Sequence, residues 1–255
     1  MLSFFMKRKN LGQHFLVDTK IIDDEIRFAQ LQKKDVVLEI GPGKGALTVP
    51  LSKSVSKVIA IEKDLELVNY LKNNLPKNVM LIHADAVKYD FHKLPNFSKI
   101  VSNLPYQISS PITFKFFDYS FEKAILMYQK EFAERMVASP GSKDYSRLSV
   151  GVYYHVHCRI LRYVSKQAFN PKPLIDSCLV EIIPRKNPPF IVDDYTFFFD
   201  MVNKFFNHRR KKIKTIIKSE YNIETSDISF LDYRVETLTP EQIGTLSNEI
   251  IQRIK

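Results

Sequence analysis

The sequence predicts an α/β fold, a mostly parallel sheet with helices on both faces, followed by a small α-helical domain. Three observations carry this expectation. Short apolar runs alternate with segments of helical periodicity through the first half of the chain, the pattern of strand–helix–strand units. The runs are nearly continuous in apolar residues, as in Val36-Val-Leu-Glu-Ile40, which suits strands buried on both faces. Beyond a junction carrying three prolines between Pro184 and Pro189, helical patterns take over.

Taken in order, residues 1–35 read as a basic lead-in followed by a helix in which Ile21, Ile22, Ile26 and Ala29 share a face, with Asp18 or Thr19 as its cap. Strands are expected at Val36–Ile40, Lys57–Ile61, Val79–His83, Ile100–Ser102 and Ala124–Tyr128. Helices are expected between them at Leu47–Ser54, Leu65–Leu75 and Ile112–Tyr119, then at Glu131–Ala138 and around Ser146–Tyr154. Two consecutive strands, Cys158–Val164 and Ser177–Ile183, joined by the proline-bearing loop that starts at Phe169, predict a hairpin closing one sheet edge. The proline junction sets the expected domains at 1–186 and 187–255. In the second, Phe198, Val202, Phe205 and Phe206 mark a helix that Ile213, Ile216 and Ile217 continue. Thr239-Pro-Glu-Gln242 has the cap residue, first-turn proline and returning Gln of a capping box for a last helix.

A 255-residue chain that is 45% hydrophobic can bury a sizeable core without disulfide or metal staples. Its two cysteines, Cys158 and Cys178, fit a reducing compartment. No apolar run is long enough to span a bilayer, and Leu2–Phe5 is too short for a signal peptide's apolar region, so a cytoplasmic protein without membrane contact is expected. The 38 Lys and Arg exceed the 28 Asp and Glu by ten, and so basic a chain attracts polyanions, nucleic acid first among them.

The chemistry concentrates at the ends of the expected strands. Glu39-Ile-Gly-Pro-Gly-Lys-Gly45 follows the first of them; Gly41, Gly43 and Gly45 allow a sharp turn and a close ligand approach. Dinucleotide enzymes use Gly-x-Gly-x-x-Gly, with a wider last gap. The Gly-x-Gly-x-Gly spacing here, with an acid two positions before it, points instead to an S-adenosylmethionine site and argues against a nicotinamide oxidoreductase. Glu62 ends the second strand, where an acid can accept both ribose hydroxyls, unless it is a solvated strand-end charge. Asp85 ends the third, where it can accept an adenine amine while Ala86 leaves room for the ring.

Asn103-Leu-Pro-Tyr106 ends the fourth strand. An adenine exocyclic amine is a poor nucleophile because its lone pair is delocalised into the ring. Acceptors on its two N–H bonds draw the nitrogen toward tetrahedral geometry. Asn103 offers a side-chain carbonyl and Leu104 a backbone carbonyl, Pro105 fixes the chain between them and the pocket, and Tyr106 offers a ring for stacking. Phe169 is the candidate for the second face of a flipped base, its other reading being a packed core aromatic. The pair His155-x-His-Cys158 lacks a partner cluster, and no metal is expected.

Together with Gln13-His-Phe-Leu16 and Phe169-Asn-Pro-Lys-Pro-x-x-Asp-Ser177, these motifs resemble the ribosomal RNA adenine dimethyltransferases, in the family's order and over nearly the whole chain. The resemblance implies a Rossmann-like class I methyltransferase sheet and S-adenosylmethionine as methyl donor. It also implies dimethylation of two adjacent adenosines near the 3′ end of small-subunit ribosomal RNA, within an assembling small ribosomal subunit. His14 and Leu16 are then expected to line the cofactor pocket beside Gly41, Glu62, Asp85 and Asn103; the family usually has Asn where this chain has His14. The small helical domain becomes an RNA-binding domain, with Arg209, Arg210, Lys211 and Lys212 as phosphate contacts or as a solvated helix face. Lys7, Arg8 and Lys9 are expected to reach the RNA backbone as well, and the protein is expected to act as a monomer. Two rival readings stand beside this one. One is the related group that methylates an adenosine of large-subunit ribosomal RNA and confers macrolide resistance, which typically carries Ile where this chain has Leu104. The other is an RNA-binding assembly or transcription factor that keeps the fold without turnover.

Overall fold

The computed structural model describes residues 14–254. Among them, β1 (Phe15–Leu16) leads into α1 (Thr19–Ala29), whose N-terminus is capped by the Asp18 side chain accepting from the Lys20 amide at 2.9 Å. The alternation then runs β2 (Val36–Ile40), α2 (Thr48–Ser54), β3 (Lys57–Glu62), α3 (Leu65–Lys72), β4 (Val79–His83), β5 (Lys99–Asn103), α4 (Ser109–Phe116), β6 (Lys123–Gln129) and α5 (Lys130–Met136). After it come α6 (Arg147–His155), β7 (Val156–Val164), the short β8 (Phe169–Asn170) and β9 (Ser177–Pro184). Three further helices follow, α7 (Tyr195–Asn207), α8 (Ile213–Glu220) and α9 (Pro240–Ile254).

The described strands form a seven-stranded sheet in the order β4-β3-β2-β5-β6-β9-β7. Its first five members are parallel, and β9 runs antiparallel to β6 and beside β7, so the expected hairpin does close one edge. The central strands are β-branched and apolar, and Val37, Leu38, Val58, Ile59, Ala60, Ile100 and Val101 have no exposed surface. The edge strand β4 is only half buried. A separate two-stranded ladder pairs Phe15 with Asn170 and Leu16 with Phe169.

The end of α1 is tied to the start of β5. Lys99 donates to the carbonyl oxygens of Ala29 and Gln30 at 3.1 and 2.6 Å and pairs with Asp35 at 3.1 Å, Lys99 and Asp35 both being buried. This anchor sets α1 against β5, where its apolar residues Ile21, Ile22 and Ala29 join the core.

The chain divides into two compact units. One holds the sheet: the chain through Ala133 together with 158–184; the other holds 134–157 and 185–255. The chain crosses between them three times, after Ala133, after His157 and after Pro184. The segment 134–157, however, belongs with the second unit and not with residues 1–186 as the sequence suggested. The reason is packing: Tyr145, Val150 and Tyr154 share one core with Phe198, Met201, Val202 and Phe205 of α7, Ile213, Ile216 and Ile217 of α8 and Ile243, Leu246 and Ile250 of α9. The capping box of α9 forms as predicted, with Thr239 N donating to Gln242 Oε1 at 2.9 Å and Gln242 N to Thr239 Oγ1 at 3.3 Å.

Candidate active site

Because β2 to β6 are parallel, their C-terminal ends lie on one edge, the edge where open α/β sheets place their ligands. The glycine loop leaves β2, Glu62 ends β3, Asp85 lies two residues past β4, and Asn103 ends β5. These residues surround a cavity of about 930 Å³ that all four line, with Ile40, Ile61, Leu65 and Met127 among its apolar walls. The loop needs its glycines. Gly41 has φ +71°, and a Cβ there would meet Pro105 at 3.1 Å; Gly43 has φ +60°, and its Cβ would meet the Phe15 ring at 3.1 Å. The loop is thereby packed between the two motifs that flank the cavity.

Two acids are buried here; Glu62 lines the cavity and Glu39 does not. Glu62 accepts from the Gly43 amide at 3.3 Å through one oxygen and from the Asp64 amide at 2.9 Å through the other. Both oxygens keep lone pairs for a ligand hydroxyl, and burial raises the carboxyl above its ordinary range. Glu39, on β2, is fully buried and pushed up to about 8 by that burial, with Glu62 adding to the effect, and its Oε2 has no partner among the described residues. A cationic ligand beside Glu62 would lower the repulsion between the two acids. Asp85 differs. Lys63 pairs with it at 2.9 Å and holds it below the usual carboxylate range, while its other oxygen accepts from the Val87 amide at 3.0 Å. Ala86 is buried beside it.

The loop carrying Asp85 and Ala86 is pinned from α4. Lys115 donates to the Ala86 and Val87 carbonyl oxygens, each at 3.0 Å, and also to that of Tyr89. Sequence reading did not single out Lys115; nothing in a helix pattern announces a lysine that binds three carbonyls of a distant loop.

In the Asn103-Leu-Pro-Tyr106 segment, Asn103 Nδ2 donates to Glu25 Oε2 of α1 at 3.4 Å. Asn103 Oδ1 is buried and has no hydrogen-bond partner among the described residues, yet Asn103 lines the cavity. A buried carbonyl without a partner is an acceptor that calls for a donor. Leu104 is buried, Pro105 packs on Gly41, and the Tyr106 hydroxyl bonds Ser177 Oγ at 2.7 Å, which fixes its ring at the cavity wall. Ser177 was quoted within a motif without a role; its role is to hold Tyr106. The register also sets Met127 beside Asn103.

Phe169 is 4% exposed within the core cluster, and it also lines the cavity. His14 lines the cavity too, its Nδ1 bonded to the Pro171 carbonyl at 2.8 Å and its ring centroid 6.2 Å from that of Tyr106. Leu16 does not line it. Side chains alternate along a strand, so Phe15 takes the cavity wall and Leu16 the core. Lys7, Arg8, Lys9 and Gln13 lie outside the described residues.

The basic run sits in the second unit, and half of it is engaged there. Arg209 pairs with Glu236 at 2.7 Å and donates to the Lys143 carbonyl; Lys212 and Lys214 share Asp232 at 3.1 and 2.8 Å. Arg210 and Lys211 are exposed, and no ion pair is found for them among the described residues. His155 spends its ring nitrogens on the Gly151 carbonyl and the Tyr195 hydroxyl, at 2.7 and 2.8 Å. Among the described residues no group of three or more His, Cys, Asp or Glu could hold a metal, and no helix is long and apolar enough to cross a membrane.

Comparison with known proteins accords with this geometry. The family model for ribosomal RNA adenine dimethylase matches residues 4–252. A curated relative from Methanosarcina barkeri, named "Probable ribosomal RNA small subunit methyltransferase A", is 45% identical over 96% of this chain and 88% of its own length. Among solved structures, a dimethyladenosine transferase from Plasmodium falciparum is similar at TM-score 0.80 and 28% identity, over 94% of this chain and 98% of that one. The 23S rRNA methyltransferase ErmE is similar at TM-score 0.69 and 26% identity, over 93% of this chain and all of that one.

Proposed function

The chain belongs to the ribosomal RNA adenine dimethylase family, and on that footing we propose that it dimethylates the N6 amino groups of two adjacent adenosines near the 3′ end of small-subunit ribosomal RNA. It draws the methyl groups from S-adenosylmethionine, and it acts in the cytoplasm, as a monomer, on an assembling small subunit. The large-subunit alternative is less well supported: the small-subunit relative is 45% identical, the large-subunit enzyme 26%.

The single observation that carries the chemistry is that Asn103, a residue of the cavity wall, has a buried Oδ1 with no hydrogen-bond partner among the described residues. The cavity suits the cofactor on its own terms, with a glycine cradle, acceptors at the ends of β3 and β4, and, in Glu62, a buried acid beside which a cation would lower the repulsion from Glu39. When bound, S-adenosylmethionine supplies an electrophilic methyl group on a positive sulfonium. Glu62 would hold the ribose hydroxyls, Asp85 the adenine amine with Ala86 against the ring, and His14 the near side.

Asn103 Oδ1 and the Leu104 carbonyl accept the two N6–H bonds of the target adenine and draw its nitrogen out of conjugation. Tyr106, held by Ser177, stacks on one face of the base, and Phe169 meets the other. The nitrogen that has accepted a methyl is acidic and loses its proton without a strong base, so positioning dominates the rate. The second unit carries the RNA backbone contacts, led by Arg210 and Lys211.

Two variants separate binding from chemistry. Asn103→Ala should reduce methyl transfer by at least about 100-fold, the scale of losing an oriented polar group, while calorimetry shows the cofactor still bound. Glu62→Ala should instead weaken cofactor binding by ~1.5–3 kcal/mol, the range for hydrogen bonds to charged groups. Turnover retained by Asn103→Ala would remove that residue from its assigned role.

A further inference from the structure

We propose that Glu25 is a positioning residue for methyl transfer: its buried carboxyl takes the Asn103 Nδ2–H and so leaves Oδ1 as the group presented to the target amine. The proposal rests on Asn103 acting as an acceptor for that amine.

A side-chain amide is nearly symmetrical in shape, and a half-turn of its last torsion exchanges oxygen for NH₂. The exchange is fatal here, because an NH₂ facing an adenine amine puts donor against donor. Some neighbour must therefore distinguish the two orientations. Asn103 Nδ2 is partnered by Glu25 Oε2 at 3.4 Å, and Asn103 Oδ1 has no partner among the described residues. Asn103 lines the cavity; Glu25 does not. Glu25 thus lies off the cavity and occupies the Nδ2 end of the amide, which leaves Oδ1 without a partner among the described residues.

Glu25 is an expensive choice for its position. It is fully buried on α1, whose neighbouring buried residues Ile21, Ile22 and Ala29 form a core face. Its Oε1 also lacks a partner among the described residues. Burial holds its pKa well above the ordinary carboxylate value, with Glu39 on β2 pushing the same way. An apolar side chain would serve the helix face better. Among the described residues the one partner found for the Glu25 side chain is Asn103, and the Lys99 anchor of α1 on β5 brings the two together across 78 residues of sequence. In either protonation state the carboxyl keeps an oxygen able to accept from Nδ2; a glutamine keeps one such acceptor but adds an NH₂ that can face Oδ1 instead, so it selects the orientation less strongly.

The test compares Glu25→Met, Glu25→Leu and Glu25→Gln with the unaltered protein and with Asn103→Ala. It measures kcat and KM on undermethylated small subunits, cofactor affinity by calorimetry, and melting temperature. The apolar variants are expected to melt no lower than the unaltered protein and to bind cofactor within about twofold, with KM unchanged and kcat reduced about tenfold. Glu25→Gln should recover part of that kcat. Normal kcat in either apolar variant overturns the proposal, and so does an equal loss in the Gln and apolar variants, since that would make Glu25 a matter of packing. Turnover retained by Asn103→Ala overturns the assignment of Asn103 itself, and the role of Glu25 with it.

Discussion

Glu39 is a residue whose cost can be measured. Its pKa of about 8 in the folded protein, against an ordinary value near 4.5, means that the folded state prefers the neutral acid. Stability from this group is therefore fully present below about pH 4.5 and lost as pH rises toward about 8. Relative to Glu39→Gln, the unaltered protein should lose stability across that window, by about 1–3 kcal/mol at its upper end; melting curves of both proteins from pH 5 to 8 check the sign. Saturating cofactor should narrow the gap, because a bound cation favours the ionised acid. At this scale legibility was uneven. Gly41, Gly43, Glu62, Asp85 and Asn103 could be read because each sits at a fixed offset from a strand end, and all of them line the cavity. Leu16 was misplaced because a two-residue strand shows no alternation from which to tell its inner side from its outer. Glu25, Lys115 and Ser177 went unassigned because their partners lie 78, 26–29 and 71 residues away, distances over which sequence pattern carries no signal.

Elements were more legible than residues. The strands of the main sheet were found to within two residues, since continuous apolar runs bounded by polar turns leave little freedom. The ladder of β1 with β8 was missed; its strands are two residues each and gain their pairing from tertiary contact. The last helix shows how an element can be tuned by one position. Gly244 lies within α9, where alanine would ordinarily add helix stability. A Cβ there would fall 2.5 Å from two carbons of the Phe190 ring. That ring is held by Tyr154 and Phe198, at centroid distances of 5.1 and 5.6 Å, so it cannot simply swing aside. Gly244→Ala should therefore destabilise the second unit by about 1–3 kcal/mol, the cost of overpacking. Chemical denaturation measures this, and an unchanged or raised midpoint would show that the ring yields.

For the molecule as a whole, the excess of ten basic charges was legible at once, but its distribution was not. The run at 209–212 looked uniform in sequence, whereas Glu236 and Asp232 engage Arg209 and Lys212 and leave Arg210 and Lys211 exposed. Replacing Arg210 and Lys211 by alanine should lower the slope of log K for RNA against log salt by about 1.5, close to two lost phosphate contacts. The same pair of changes at Arg209 and Lys212 should lower it less. The domain boundary had the same character: the proline junction was visible, but the return of 134–157 to the second unit depends on aromatic packing that sequence order hides.

The most direct measurement incubates the protein and methyl-labelled S-adenosylmethionine with small ribosomal subunits that lack adenosine dimethylation, with large subunits in parallel, and analyses the labelled nucleosides. The account predicts N6,N6-dimethyladenosine in the small subunit and no label in the large. Label confined to the large subunit, or none in either while the cofactor still binds, would contradict it.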